Sequence, residues 1–202
     1  MYLPAHTAVD DRAQIEEFVR RTGVASLVTV GADGVPDSTT VPVLWEGDRL
    51  IAHLARANPQ VARVVEGASA LAVVRGPDGY ITPSWYASKA EHGRVVPTWN
   101  YTEVQIRGTV TTYDDADRLL DVVTRLTDHH EIQRDSPWAV TDAPDKYVRT
   151  RLKAIVGVEL VITDVHAKAK VSRDKPEADQ ESVLAAMPDG PMRAAQLSGG
   201  LA

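Results

Sequence analysis

Thr98-Trp99-Asn100-Tyr101-Thr102-Glu103-Val104-Gln105-Ile106-Arg107-Gly108-Thr109-Val110-Thr111-Thr112-Tyr113 is the stretch that decides the fold. Val104, Ile106, Gly108 and Val110 alternate with Gln105, Arg107 and Thr109, the two-residue period of a half-buried strand. Shorter β-rich runs lie upstream at 25–30, 38–45, 49–54, 70–74 and 80–85, and one more lies downstream at 155–165. Gly31-Ala32-Asp33-Gly34, Glu46-Gly47-Asp48 and Gly76-Pro77-Asp78-Gly79 read as turns between them. Pro42 marks an edge or a bulge, and Pro83 breaks its run.

Helical patterns fill the gaps. In 10–21, Ile15, Phe18 and Val19 share one face, and Asp11 with Gln14 has the spacing of a capping box. Asn58-Pro59 opens a helix with Val61, Val64 and Val65 inward and Gly67 at its end. Segment 114–130 carries a Leu119, Val122, Val123, Leu126 stripe, and 145–153 is a shorter helix. His129-His130 reads as a solvated pair complementing the dipole at a helix end. Six or seven strands joined mostly by short turns predict a mainly β (α+β) chain, an antiparallel barrel with peripheral helices. The expected division is a barrel domain over 1–165 and a polar extension over 166–202, partly helical and frayed from Gly190 on.

The chain has 202 residues, 44% apolar and 25% charged, within the range of one globular domain. It contains no cysteine, which excludes disulfides, thiolate catalysis and Cys-ligated metal. A net charge of −6 argues against nucleic acid as a partner. Neither a signal peptide nor a membrane-length apolar run is present, so a cytoplasmic location is expected. No Rossmann, P-loop, zincin or nucleophile-elbow motif occurs.

The segment from Tyr80 to Tyr101 holds two of the four tryptophans and three of the six tyrosines, mixed with Lys89, His92, Arg94 and Asn100. Clustered aromatics with convergent polar groups suit the pocket of a flat ligand, or an interface. Ser84-Trp85-Tyr86 and Val96-Pro97-Thr98-Trp99-Asn100-Tyr101 resemble the signature of PaiB-like proteins, often called FMN-binding negative transcriptional regulators. The start Met1-Tyr2-Leu3-Pro4, the run from His53 to Pro59 and Ala154-Ile155-Val156-Gly157-Val158-Glu159 agree. The resemblance covers about 1–185 and implies a split β-barrel homodimer with its cofactor at the subunit interface.

Where that family usually has Lys-x-Lys-Leu-Ser-Gln-Asn, this chain reads Lys168-Ala169-Lys170-Val171-Ser172-Arg173-Asp174. A branch of the family resembles the piperazate synthases, which bind haem and close N5-hydroxyornithine by forming an N–N bond. On that resemblance, Arg173 would anchor the carboxylate of a small amino-acid substrate and Asp174 its ammonium, with Lys170 and Tyr101 beside them. His53 would be the metal ligand of haem b. Arg56 and Lys89 would pair with a haem propionate or flavin phosphate, and Ser84, Thr98 and Asn100 would donate to the same anion. Trp85, Tyr86, Trp99 and Tyr101 would stack on the ring or pack a dimer interface. A tyrosine, lysine or histidine would take the proton. The alternative is FMN, in a regulator or a small flavin-dependent oxidoreductase.

Overall fold

The alternation over Thr98–Tyr113 becomes a single strand with the expected bounds in the computed structural model, which describes residues 1–201. The elements in chain order are β1 (Ala8–Val9), α1 (Arg12–Thr22), β2 (Val24–Val30), β3 (Pro36–Pro42), β4 (Leu44–Glu46), β5 (Arg49–Ala55), α2 (Pro59–Arg63) and β6 (Ser69–Ile81). They continue with α3 (Ser88–His92), β7 (Thr98–Tyr113), α4 (Ala116–Glu131), α5 (Asp145–Leu152), β8 (Ile155–Lys170), α6 (Glu177–Ala186) and α7 (Pro191–Ser198). One sheet has the order β3-β2-β6-β7-β8-β5-β4, with β1 added on β8. Strands β2 and β3, β2 and β6, β4 and β5, β5 and β8, and β1 and β8 pair antiparallel; β2 runs against β3 from Val24↔Pro42 to Val30↔Pro36, and β5 against β8 from Arg49↔Val161 to Ala55↔Ile155. This is the mainly antiparallel sheet with peripheral helices that the turn spacing implied. No helix among the described residues is long and apolar enough to cross a membrane.

Two compact units form. The first comprises Met1–Phe18, Val74–Gln105 and the chain from His166 on; the second comprises Val19–Val73 and Ile106–Val165. In the second unit, α4 lays Val122 and Leu126 on Ile51 of β5, with Leu44 and Tyr113 alongside. Glu159 of β8 is buried there and forms ion pairs with Arg49 and Arg118. The Arg118 guanidinium lies over the Tyr113 ring. Burial would raise the Glu159 carboxyl, but hydrogen bonds from the two arginines hold it below the ordinary glutamate value.

Three expectations are corrected. Gly76-Pro77-Asp78-Gly79 is not a turn: β6 runs through it as one strand of 13 residues. Gly76 is needed for close approach instead, because a Cβ there would meet the Thr102 hydroxyl and the Phe18 ring. Helix α2 is only five residues long, and its buried residue is Gln60, not the valines. The Gln60 amide donates to Leu27 O and Thr29 Oγ1 and accepts from Thr39 Oγ1, so a polar network pins this helix. The histidine pair stays at the surface in the last turn of α4 as expected, with His130 exposed, and is tethered there. His129 bonds Arg20 O at 2.8 Å, and His130 lies against Gly23. Finally, β8 continues five residues past 165, and Pro191–Ser198, read as lacking periodicity, is a helix with Ala195 fully buried.

Gly76→Ala places a methyl against Thr102 and Phe18, and overpacking of this kind costs about 1–3 kcal/mol. A lower urea midpoint with an unchanged slope is the expected result, whereas Gly79→Ala, whose Cβ has ordinary room 3.5 Å from Met192, leaves the midpoint nearly in place.

Candidate functional site

The pleat of β7 decides which predicted site residues can meet. Asn100, Thr102 and Val104 point inward and are buried, so Trp99 and Tyr101 lie on the opposite face. Trp99 is half exposed, donates from Nε1 to Asp78 Oδ1 at 2.9 Å and tilts against Tyr80. Tyr101 faces the Lys168 ammonium at 5.5 Å; that ammonium also bonds Tyr2 O at 2.9 Å. Trp85 and Tyr86 belong elsewhere, to a cluster of Ile81, Val183 and Met187. One chain therefore does not gather these four rings around a single flat ligand.

Inward from β7, a polar group assembles at the end of β8. Asn100 is fully buried and donates from Nδ2 to Ser172 Oγ at 2.9 Å and to Gln196 Oε1 at 3.1 Å, while its Oδ1 has no partner. The Lys170 ammonium donates to Thr98 Oγ1 and to Trp99 O. Burial lowers the Lys170 pKa, and the neighbouring Lys168 and Lys175 lower it further. Thr98 and Asn100, expected at a cofactor anion, and Lys170, expected in a separate group with Arg173, Asp174 and Tyr101, thus come together, with Ser172 beside them.

Beside them opens a cavity of about 270 Å³ lined by Tyr86, His92, Arg94, Asp174, Lys175 and Asp179, among others. Asp174 and Lys175 form an ion pair of 3.1 Å at its edge. Burial raises the Asp174 carboxyl, yet its bond to Lys175 holds it below the usual range. The Tyr86 hydroxyl is buried without a hydrogen-bond partner. Its pKa is raised, chiefly by burial and with help from Asp174 and Asp179, against the lowering effect of Lys175 and Ser172. Asp179 is buried and accepts from Ser88 N at 2.8 Å and Ser88 Oγ at 2.7 Å, which fixes α3 beneath the cavity.

Other predicted residues stand apart from this group. Arg173 is exposed, and its guanidinium packs beside Gly199 at the C-terminal end of α7, where a cation complements the helix dipole. It does not line the cavity with Asp174. Lys89 bonds Ser84 Oγ at 3.1 Å on an exposed turn. In the second unit, Arg56 donates from Nε to Lys153 O and from Nη2 to Ile155 O, with Asp114 at 3.8 Å. Those bonds tie the end of β5 to the start of β8, a structural task. His53, opposite Gly157 on β8, is half-buried. Burial lowers its pKa, so the ring is neutral near pH 7, and its Nδ1 is buried without a partner. Among the described residues no cluster of three or more His, Cys, Asp or Glu could hold a metal ion.

Sequence reasoning missed the Ser88–Asp179 pair, His92 and Arg94 as cavity residues, and the role of Ser172. Ser88 and Asp179 are 91 residues apart, and no local pattern links them.

Residues 1–164 match the family described as "Putative FMN-binding domain". The chain belongs to that family. It is 29% identical over 188 residues to "Protease synthase and sporulation protein PAI 2" of Bacillus subtilis, covering 91% of this chain and 87% of that protein. Among solved structures it is similar to the FAD and heme binding protein of Mycobacterium smegmatis, with a TM-score of 0.60 and 22% identity over 90% of this chain and 81% of that one. It is also similar to the flavocytochrome Anf3 of Azotobacter vinelandii, with a TM-score of 0.58 and 20% identity over 91% and 76%. The fold is thus that of the FMN-binding split barrels, shared with those two proteins.

Because Ser88 holds Asp179 below the ordinary aspartate range of about 3.9, this carboxylate adds stability above that pH and loses it as the pH falls through its lowered value. Urea midpoints measured between pH 7 and pH 2 should therefore drop less steeply for Asp179→Asn than for the wild type. Parallel curves would show that the pair contributes nothing.

Proposed function

We propose that this chain is a homodimeric enzyme that binds haem b through His53 and closes N5-hydroxyornithine to piperazate with loss of water. The observation that supports it is the cavity in which Asp174 and Lys175 set opposite charges 3.1 Å apart beside Arg94. A ligand carrying both an ammonium and a carboxylate complements such a pair. Ligand pockets usually span about 300–1,000 Å³, so this one suits a small amino acid better than a whole tetrapyrrole or flavin. The anchor first assigned to Arg173 passes to Lys175 and Arg94, which line the cavity, while Asp174 takes the ammonium.

Holding both ends of a flexible chain removes much of the entropic barrier to ring closure. The α-nitrogen must be neutral to attack N5. Lys170, whose depressed pKa brings it nearer neutrality, is the base this site supplies. The N–N bond forms as the N5–O bond breaks, and the hydroxyl leaves as water with the proton the α-amine gives up. The electron pair moves from one nitrogen to the other, so no outside reductant is consumed. Bound haem would supply a Lewis-acidic iron that polarises the N–O bond.

His53 fits the role of axial donor in one respect and departs from it in another. Its ring is neutral, as a ligand must be, and the buried Nδ1 leaves Nε2 as the nitrogen for iron. The usual acceptor on the other nitrogen is missing, so iron would be held without that second support. Trp99 and Tyr80, half exposed on the outward face, suit a second copy of the chain.

A second reading is an FMN-binding regulator or flavin-dependent oxidoreductase, favoured by the family's own description. Lys168, Lys170 and Lys175, gathered at the end of β8, would then meet the flavin phosphate.

Purified protein reconstituted with haem or FMN separates the two. A Soret band that is lost in His53→Ala, with N5-hydroxyornithine converted to a product 18 mass units lighter, is the expected outcome. A stoichiometric yellow flavin complex with no haem uptake overturns the haem reading.

A further inference from the structure

A second cavity, of about 500 Å³, opens in the second unit, between Arg56 after β5, the start of α4 and the end of α5. Leu119 and Leu152, both buried, supply its apolar lining. Among the described residues its charged lining is three cations, Arg56, Arg149 and Lys153, against one carboxylate, Asp114, a surplus of two positive charges. The chain as a whole has the opposite balance, 22 lysines and arginines to 28 aspartates and glutamates. Arg149 and Lys153 stand four residues apart on one face at the end of α5, and neither side chain makes a hydrogen bond or an ion pair among the described residues. Like charges at this spacing disfavour a helix, and the negative end of α5 offsets only part of that. Carboxylate partners would relieve the cost, and the fold brings them none. Arg56 is held differently. Its Nε and Nη2 donate to Lys153 O at 3.0 Å and Ile155 O at 3.1 Å, which fixes the guanidinium. Nη1 is left with Asp114 at 3.8 Å, beyond hydrogen-bond length. Ala116 brings to the same cavity the positive end of a 16-residue helix, whose first amides have no intrahelical acceptor. The neighbouring Asp115 is engaged in capping that helix, accepting from Arg118 N at 2.8 Å, and does not line the cavity.

We propose that this cavity binds a phosphomonoester through Arg56, Arg149 and Lys153. The site belongs to the second unit, and it does not rest on the ring-closure reading of the cavity edged by Asp174 and Lys175. A phosphomonoester carries about −1.5 to −2 at pH 7, which matches the surplus of two charges; a single carboxylate would leave half of it standing. Its three terminal oxygens can accept from the Arg56 Nη1, the Arg149 guanidinium and the Lys153 ammonium together. Leu119 and Leu152 suit the carbon skeleton of an organic ester better than inorganic phosphate. Two sources share this chemistry, the phosphate tail of FMN and a free phosphorylated metabolite.

Titration calorimetry on the purified full chain, at low salt and near neutral pH, tests this with FMN, riboflavin, glycerol 3-phosphate and glycerol. At least one of the two esters should bind, one per chain, and its phosphate-free counterpart should bind about tenfold more weakly or not at all. Tighter binding of FMN identifies the flavin tail as the source, and tighter binding of glycerol 3-phosphate identifies a metabolite. Affinity should fall with added salt, and also as the pH drops below about 6, where the ester loses its second charge. Arg149→Gln and Lys153→Gln should each weaken binding about tenfold. Their urea midpoints should hold or rise, because each removes one of two unpartnered like charges, a result that a structural role for these side chains would not give. No binding of either ester overturns the proposal, as does an affinity that both variants leave intact. Affinity lost in Lys175→Gln but kept in Arg149→Gln puts the phosphate at the end of β8 instead and overturns it too. Conversion of N5-hydroxyornithine is measured apart from these titrations, so neither reading stands or falls with the other.

Discussion

Strand β7 is obliged by its pleat to send alternate side chains to opposite faces, and most of what matters in this protein follows from that sorting. Asn100, Thr102, Val104, Ile106 and Val110 go inward and are buried, whereas Trp99, Tyr101, Glu103 and Gln105 stay half covered or exposed. The sheet can close on this strand only because glycine occupies the tight places. A Cβ at Gly108 would collide with the Val161 carbonyl, and one at Gly157 would collide with the Tyr113 ring. The inward end of β7 then meets the end of β8, and the polar atoms carried there, Asn100 Oδ1 and Thr102 Oγ1, are buried without partners. A fold built only for stability would have put apolar side chains at those two positions.

The period of β7 was legible because it runs for 16 residues with one consistent phase. The stripe of α4 was legible for the same reason, and its Asp115 caps the helix by accepting from Arg118 N. Gly76-Pro77-Asp78-Gly79 misled because turn residues are also the residues that permit close approach inside a strand, and sequence alone does not separate the two uses. Helix α2 was read for its valines, yet its anchor is the amide of Gln60, whose partners on β2 and β3 lie 21 to 33 residues away. Polar networks of that kind have no period, so nothing in the local pattern announces them.

The site divides along similar lines. Aromatic and polar density between Tyr80 and Tyr101 singles out a segment that lines part of one cavity, but density does not say which face each ring takes. Trp99 and Tyr101 turned out opposite to Asn100, and Arg173 is committed to the end of α7. What draws the cavity together is long-range pairing: Asn100 with Ser172 across 72 residues, and Ser88 with Asp179 across 91. Even between chain neighbours the choice was hidden: Asp174, read with Arg173, pairs with Lys175 instead.

The determinants of the fold are separate from the polar groups at the strand ends. Stability resides in the apolar period of the strands, in the glycines that let them approach, and in buried ion pairs such as Glu159 with Arg49 and Arg118. None of these constrains what lies at the ends of β7 and β8. There the chain carries one lysine, Lys170, whose pKa burial and its neighbours depress, and a serine in left-handed backbone, both of which cost stability. Substitutions at those strand ends therefore leave the barrel itself untouched.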